Sequence, residues 1–309
     1  MKKISVVTPC FNEEANVEAL CSRVKEIFRE NGSYEYEHLF IDNASTDGTQ
    51  AILKRLAASD DRIKIIINTR NFGHIRSPFY AITKAGGDAV IQLLADFQDP
   101  PELISDFLKQ WEAGYKVVLG IKTNSGESGL MFAVRKFYYN LVDNLSDVRI
   151  NKNNNGFGLY DREVVDQLKK LDEPYPFFRG LVSELGYEAA KVEYFQAARK
   201  RGITKNNFYT LYDIGMLGIV NHSKVPLRLA IFSGAALAAI NLAVAFGYFV
   251  YKLIYWESFS VGIAPVVIGL FFFSSVQLIF LGVIGEYIGA IYTQTLKRPL
   301  VIEKERINF

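Results

Sequence analysis

The amino-acid sequence predicts an α/β fold, a mostly parallel sheet with helices on both faces, followed by a C-terminal hairpin of two transmembrane helices. Two observations predict it. Apolar runs rich in β-branched residues alternate with helical patterns over the first 228 residues. Beyond residue 228, only nine charged side chains remain, in a chain that holds 35 Lys and Arg and 33 Asp and Glu. The first part therefore has the composition of a water-soluble domain, and the last part that of a membrane segment.

Five apolar runs form the predicted strands, and each is short enough for a buried strand of a parallel sheet. The runs are Ile4–Val7, His38–Ile41, Ile63–Ile67, Ala89–Leu94 and Val117–Ile121. Apolar residues at helical spacing occupy the gaps, such as Val17, Leu20 and Val24 after the first run. Phe107 and Trp111 repeat this pattern before the last run. Such alternation predicts right-handed connections between parallel strands.

Polar clusters follow the first, second and fourth predicted strands, at Thr8–Glu14, Asp42–Thr49 and Ala95–Glu102. Ligands of such sheets bind beyond the carboxyl ends of the strands, so the three clusters should meet at one binding edge. Asp42 offers an acidic partner for the base or ribose of a nucleotide. Asp96 and Gln98 offer oxygen ligands for a divalent cation that bridges phosphates. Each cluster alone would equally fit a strand-to-helix turn with cap residues.

Two uncharged stretches, about 229–251 and 261–284, are long enough to cross a bilayer, and the second span could extend past Glu286 to residue 292. Their length and lack of charge disfavour the alternative of two buried helices in a soluble protein. Lys and Arg concentrate outside the two spans, with only Lys252 between them. This asymmetry predicts a multi-pass protein of the inner (cytoplasmic) membrane, with the soluble domain and both termini in the cytoplasm.

The predicted division of the chain has four parts: a soluble domain over 1–206, interfacial helices over 207–228, spans within 229–292, and a cytoplasmic tail over 293–309. For the interfacial helices, a helix packed into the core is the alternative. Gly285 and Gly289 form a G-x-x-x-G pattern in the second span. That pattern would allow the spans of neighbouring copies to pack as a homo-oligomer.

Net charge and cysteine content narrow the class of protein further. A formal net charge of +2 argues against a nucleic-acid binder, whose affinity would come from a broad basic surface. Cys10 and Cys21 are too few for a disulfide framework, and free thiols suit the cytosol.

A series of short motifs runs along the chain: Thr8–Glu13, Asp42–Thr49, Arg70–Gly73, Ala95–Glu102, Phe178–Gly180, Arg199–Lys205, Val225–Arg228, Gly285–Tyr292 and Arg298-Pro299. Their order resembles that of inverting glycosyltransferases of the GT-A fold. More narrowly, it is similar to the polyprenyl-phosphate glycosyltransferases, which include dolichol-phosphate mannose synthases and bactoprenol glucosyltransferases. The resemblance covers essentially the whole chain and ends in the two C-terminal spans.

This resemblance implies transfer of a single sugar from a nucleotide sugar, with UDP favoured over GDP, to undecaprenyl or another polyisoprenyl phosphate. The reaction would invert the anomeric centre, use Mg²⁺ or Mn²⁺, take place at the cytoplasmic membrane face and serve cell-envelope polysaccharide. The nucleotide-binding residues implied by the resemblance are Pro9, Phe11, Glu13, Asp42 and Asn71.

The metal ligands implied by the resemblance are Asp96 and Gln98, and the catalytic residues are Asp96, Arg199 and Lys205. Arg199 and Lys205 would meet the diphosphate or the acceptor phosphate as charge develops on the leaving group. The alternative for these two is a solvated basic run, Arg199-Lys200-Arg201, beside an anionic membrane surface.

The sequence departs from the family pattern at three places. Leu94 stands at the first position of the Asp-x-Asp metal motif, and Asn43 stands where the family often has Asp. Gly156 and Gly158 occupy the Asp and Arg positions of Gly-Asp-Phe-Arg-Leu. Asp161 is the nearest replacement carboxylate, with a cap or turn role as its alternative.

Two other functions remain open at this point. One is transfer of sugar to a hydroxyl of a lipid-linked saccharide, which needs a general base such as Asp161 or Asp99. The other is a non-catalytic membrane scaffold that binds a nucleotide sugar or lipid. A phosphate acceptor needs no strong base, because its second pKa near ~6 leaves it largely a dianion at neutral pH.

Overall fold

Eight strands form one twisted sheet in the computed structural model, which describes residues 1–124, 154–195, 225–255 and 263–309. The strand order is β7-β5-β6-β4-β1-β2-β3-β8. The central strands β4, β1, β2 and β3 run parallel, whereas β6 and β8 are antiparallel to their neighbours. The strands are β1 (Lys2–Cys10), β2 (Tyr34–Asp42), β3 (Ile63–Asn68), β4 (Ala89–Gln92), β5 (Val117–Asn124), β6 (Gly158–Asp161), β7 (Ala189–Phe195) and β8 (Glu303–Ile307).

Helices cover both faces of this sheet, as the sequence predicts. One buried cluster joins the sheet to α1, α2 and α4, through side chains such as Leu20, Leu53 and Phe107. A second cluster on the opposite face includes Ile82 and Val164 from α3 and α5. The helices of the domain are α1 (Val17–Glu30), α2 (Thr49–Ser59), α3 (Gly73–Lys84), α4 (Ile104–Glu112), α5 (Arg162–Lys170) and α6 (Phe178–Glu184).

Two long apolar helices follow, α7 (Val225–Ile254) and α8 (Ile263–Thr295). By length and composition, the segment Phe272–Thr295 could cross a membrane, and Val225–Asn241 is a shorter apolar stretch. Large apolar side chains on both helices are exposed, among them Phe246 and Leu278. Exposed apolar surface of this extent marks contact with lipid or a partner. Most of the predicted interfacial segment, up to residue 224, lies outside the described residues.

The strand β8 is the main feature that the sequence pattern does not predict. Its sequence, Glu-Lys-Glu-Arg-Ile, is charged and lies within the predicted tail, yet it pairs antiparallel with β3 from Ile65 to Asn68. Asn308 then donates both amide hydrogens, to Ala57 O at 2.8 Å and Ile63 O at 2.9 Å. The backbone pairing and this amide bind the chain after α8 to the edge of the sheet.

Asn308→Ala should lower the free energy of unfolding by about 1–2 kcal/mol, because two buried carbonyl acceptors lose their donor. Ala also fits the positive φ of 61° at this position less well than Asn does. The measurement is thermal unfolding of the full-length protein in detergent. Lys304→Ala, which truncates an exposed side chain on the same strand, is the control and should leave the unfolding temperature unchanged. Equal effects of the two substitutions would contradict the role of the amide.

A buried histidine in β2 predicts loss of stability in mild acid. Burial lowers the pKa of His38 to about 3, and its Nε2 is hydrogen-bonded to Thr8 Oγ1 at 2.9 Å. In the unfolded chain a histidine takes up its proton near pH ~6.5. Below this pH, His38 is protonated in the unfolded state but stays neutral in the folded state. The free energy of unfolding should therefore fall as the pH drops below about 6.5.

We expect His38→Gln to flatten this fall between pH 7 and 5, measured as unfolding temperature against pH. The control is His74→Gln. Partial burial and the charge of Arg179 lower the pKa of His74 as well, but this residue lies at the exposed start of α3, where water weakens the effect. An unchanged slope in His38→Gln would show that His38 is not the group responsible.

Candidate active site

The three predicted polar clusters lie at the carboxyl edge of β1, β2 and β4, as expected. Each contains a non-glycine residue in the left-handed region of backbone space: Asn12 (φ 58°), Ala44 (φ 62°) and Phe97 (φ 55°). For residues other than Gly and Asn this conformation costs roughly 1 kcal/mol or more, and such strain concentrates at functional sites. The backbone at Ala44 and Phe97 is therefore held in a shape that local preference alone would not select.

Side chains of the first two turns interlock. Ser45 Oγ accepts a hydrogen bond from Asn12 N at 2.9 Å, and Asn12 Oδ1 accepts one from Thr46 N at 2.8 Å. Thr49 Oγ1 accepts another from Glu13 N at 2.9 Å. The parallel register of β1 and β2, which pairs Cys10 with Asp42, brings these groups together. The two turns thus form one rigid unit.

Four of the predicted nucleotide-binding residues lie on this unit. Asp42 is fully buried, and its Oδ2 accepts hydrogen bonds from Ser45 N at 3.0 Å and Gln50 Nε2 at 2.8 Å. Pro9, Phe11 and Glu13 are partly exposed at the end of β1. The carboxylate therefore has a fixed orientation beside surface that a ligand can reach.

Asn43 connects the second turn to the turn after β3, which carries Asn71. The Asn43 amide accepts hydrogen bonds from Asn68 Nδ2 at 3.0 Å and Phe72 N at 2.9 Å, and donates to Gly73 O at 3.1 Å. An aspartate could not make the last of these bonds. The departure from the family pattern at this position thus serves an amide network. Asn71, the fifth predicted nucleotide-binding residue, is exposed and accepts a hydrogen bond from Gly73 N at 2.8 Å.

Asp96 and Gln98, the predicted metal ligands, lie on the turn after β4. Asp96 is 7% exposed, and its Oδ1 accepts a hydrogen bond from Gln98 N at 3.2 Å. Within the described ranges, no group of three or more His, Cys, Asp or Glu side chains could hold a metal ion. This sparse donor set fits Mg²⁺ or Mn²⁺ only if phosphates and water complete the coordination, an arrangement that is common for magnesium.

Asp99 forms a buried cluster that the sequence does not identify as a unit. Its carboxylate is fully buried and accepts hydrogen bonds from Tyr194 Oη at 2.5 Å and from Asn155 Nδ2 at 2.9 and 3.1 Å. Burial raises the pKa of Asp99, and the bonds from Tyr194 and Asn155 oppose this rise. The cluster ties the Asp96 turn to the end of β7 and to the segment before β6. The sequence alone does not connect Tyr194 and Asn155 with Asp99, because they lie 95 and 56 positions away along the chain.

Gly156 and Gly158 are required by the backbone around them. Gly156 has φ 97°, and a Cβ there would lie 3.1 Å from Gln92 Oε1. A Cβ on Gly158 would overlap the backbone oxygen of Val118 on β5. An Arg at position 158 could not be accommodated without movement of β5 or β6, and an Asp at position 156 would be strained by the positive φ and would press against the side chain of Gln92.

The remaining predicted residues lie elsewhere. Asp161 is opposite Ala89, at the amino end of β4, away from the binding edge. It caps α5 by accepting from Glu163 N at 2.9 Å and also accepts from Trp111 Nε1 at 2.8 Å, so the structure assigns it the cap role. Arg199 and Lys205 lie outside the described residues.

Comparison with known proteins identifies the family. The model of glycosyl transferase family 2 matches residues 5–169. The chain is 36% identical to the glycosyltransferase YkcC of Bacillus subtilis (strain 168), over 96% of this chain and 92% of YkcC. It is also 36% identical to the SfII prophage-derived bactoprenol glucosyl transferase of Shigella flexneri, over 98% of both chains.

Among solved structures, the mannosyltransferase PcManGT from Pyrobaculum calidifontis in complex with GDP-Man and Mn²⁺ matches 96% of this chain and 86% of its own, at 16% identity and a TM-score of 0.48. The family match and the parallel sheet with helices on both faces confirm the predicted GT-A fold. The chain therefore belongs to glycosyl transferase family 2, and it is a glycosyltransferase related along almost its whole length to bactoprenol glucosyl transferases.

Proposed function

We propose that this glycosyltransferase moves one sugar from a nucleotide sugar, UDP-linked rather than GDP-linked, to undecaprenyl or a similar polyisoprenyl phosphate at the cytoplasmic membrane face. The main observation behind this proposal is that one chain combines a polar binding edge with exposed apolar helices. The interlocked turns with Asp42, together with Asp96 on the turn after β4, suit a nucleotide sugar, and the exposed apolar helices suit a lipid acceptor. Relatives named bactoprenol glucosyl transferase support the same acceptor class.

An acceptor oxygen of the lipid phosphate attacks the anomeric carbon of the donor sugar. The new carbon–oxygen bond forms as the bond to the nucleoside diphosphate breaks, which inverts the anomeric configuration. Asp96 and Gln98 would hold Mg²⁺ or Mn²⁺, which supplies positive charge for the departing diphosphate when bound. Arg199 and Lys205, if they reach the site, add further positive charge. Pro9, Phe11, Glu13, Asp42 and Asn71 bind and orient the nucleotide.

The arrangement of carboxylates favours a phosphate acceptor over the hydroxyl of a lipid-linked saccharide. A hydroxyl acceptor needs a general base within hydrogen-bond reach. Asp99 is fully buried and already holds the donors of Tyr194 and Asn155, and Asp161 lies at the opposite end of β4. A lipid phosphate arrives largely deprotonated, since its second pKa lies near ~6. The non-catalytic scaffold is disfavoured by the family membership.

A two-span topology agrees with the position of the two chain ends. The strands β1 and β8 lie in the same sheet, so the residues before α7 and after α8 belong on one side of a membrane. The helix α7 has 30 residues and α8 has 33, whereas about 20 residues span a bilayer core. Both helices would then cross, with the sheet in the cytoplasm. A methyl group added at Gly285 or Gly289 would meet no described atom within 4 Å, so both positions have room for the helix of a neighbouring copy.

The proposed reaction is tested by incubating the full-length protein in detergent with UDP- and GDP-sugars, Mg²⁺ or Mn²⁺, and undecaprenyl phosphate. We expect a lipid-phosphate sugar, detected by mass, and its loss on chelation. Asp96→Ala should lower turnover at least about 100-fold, because the metal that stabilises the departing diphosphate would lose its carboxylate ligand. Asp106→Ala, which removes an exposed carboxylate on α4, is the matched control and should keep full activity. Full activity of folded Asp96→Ala would refute the metal assignment, and absence of a lipid-phosphate sugar with every donor would refute the proposed acceptor.

Gly158→Ala should destabilise the protein by about 1–3 kcal/mol, because the added methyl group overlaps the backbone of β5. Gly32→Ala is the control, since its Cβ would meet only Arg29 O at 3.9 Å. Unfolding temperatures of both variants measure the difference. Normal stability of Gly158→Ala would mean that the position has room for a side chain, and steric overlap with β5 would then not explain the missing Arg.

A further inference from the structure

Three arginines come together where the chain leaves α8 and meets the sheet. Arg70 lies on the turn after β3, Arg76 in the first turns of α3, and Arg298 three residues beyond the end of α8. The guanidinium carbons of Arg70 and Arg76 lie 4.0 and 5.5 Å from the centroid of the Phe72 ring. Arg76 also donates a hydrogen bond to Pro299 O, next to Arg298. We call these three residues the arginine cluster.

The arginine cluster has no acidic partner within the described part of the chain. Several other described arginines form ion pairs with carboxylates, such as Arg55 with Glu18 and Arg306 with Glu303. None of the three cluster arginines makes an ion pair with a described Asp or Glu. Arg76 Nε is moreover buried with no hydrogen-bond partner among the described residues. A buried N–H donor without an acceptor is costly, so an acceptor from outside the chain would stabilise this arrangement.

Electrostatics within the cluster point the same way. Burial lowers the pKa of the Arg76 guanidinium, and the charges of Arg70 and Arg298 lower it further, while Tyr175 acts in the opposite direction. Three neighbouring positive charges create a local site of positive potential. Phosphate is an anion that planar guanidinium groups bind well, because two N–H donors can meet two of its oxygens.

The position of the cluster indicates where the phosphate would come from. Arg298 lies within about 11 Å of the end of α8, since three extended residues span no more than that. The segment Phe272–Thr295 is long and apolar enough to cross a membrane, which puts the cluster near headgroup level. Thr69 N donates a hydrogen bond to Ile302 O at 2.9 Å, so the turn that carries Asn71 is attached to the segment between α8 and β8. The cluster thus lies between the membrane and the binding edge.

We propose that Arg70, Arg76 and Arg298 form a binding site for a phosphate group carried by a membrane lipid. Two lipids offer this chemistry: the polyisoprenyl phosphate acceptor on its way to the site, and an anionic phospholipid that holds the domain against the membrane. The first case rests on the proposed function, and the second does not.

The test uses full-length protein in nanodiscs of phosphatidylcholine, with undecaprenyl phosphate or phosphatidylglycerol added in separate series. Arg298→Gln is the first variant, because Arg298 is exposed and its removal leaves internal contacts intact. The double variant Arg70→Gln/Arg76→Gln is the second. Arg55→Gln, which removes an exposed arginine on α2, is the control. Both the rise in unfolding temperature on adding each lipid and the kinetics of sugar transfer are measured.

If the acceptor occupies the cluster, its KM should rise about tenfold in the variants, as expected for one lost charged hydrogen bond, with kcat and the KM for nucleotide sugar unchanged. If phospholipid occupies it, the stabilisation by phosphatidylglycerol should disappear while acceptor KM in phosphatidylcholine stays the same. Folded variants that keep both lipid responses would overturn the proposal. Loss of a lipid response in the variants, in a protein that transfers no sugar to lipid phosphate, would refute the proposed function and leave the site standing.

Discussion

Antiparallel pairing of β8 with β3 is the contact on which the arrangement of this protein depends. The chain reaches β8 only after α8, a helix of 33 residues, and returns to the sheet in which it began. The strands that come before α7 and after α8 lie in one sheet, so the chain returns to the same domain after the two helices. The same pairing brings Ile302 to Thr69 and Pro299 to Arg76, so the carboxyl end of α8 is tied to the turn that carries Asn71. A lipid acceptor and a water-soluble donor need such a connection, because neither substrate can enter the other's phase.

Three buried side chains at the binding edge are held in place by hydrogen bonds within the protein. Asp42, Asn43 and Asp99 are all buried, and each accepts at least two hydrogen bonds from other described residues. A carboxylate whose oxygens are buried and already hydrogen-bonded is out of reach of a substrate hydroxyl. Phosphate acceptors do not make this demand on the protein. The close approach of Gln92 to Gly156 and of β5 to Gly158 then explains why these positions are glycines. The loss of a catalytic base is not needed as an explanation.

Much of this fold can be predicted from the sequence, for identifiable reasons. The five buried strands are continuous apolar runs, and the structure contains all of them, with β4 ending at Gln92 before the predicted Leu94. The three polar turns follow from strand direction alone. In contrast, β8 has alternating charges because it is an edge strand whose outer side meets solvent, and no apolar pattern marks it. The cluster of Asp99, Asn155 and Tyr194 joins residues up to 95 positions apart, so only the folded chain reveals it.

The departures from the family pattern at Asn43 and Leu94 have different physical meanings. At Asn43 the amide replaces a carboxylate and gains a donor, which bonds to Gly73 O and orders the turn after β3. At Leu94 nothing in the described structure restores the missing carboxylate, and Asp96 is the only acidic side chain of the motif that remains. A metal held by fewer protein oxygens depends more on the phosphates of the donor. The Asn43 network fixes the turns that carry Asp42 and Asn71 in advance, which lowers the cost of ordering these turns when a ligand binds.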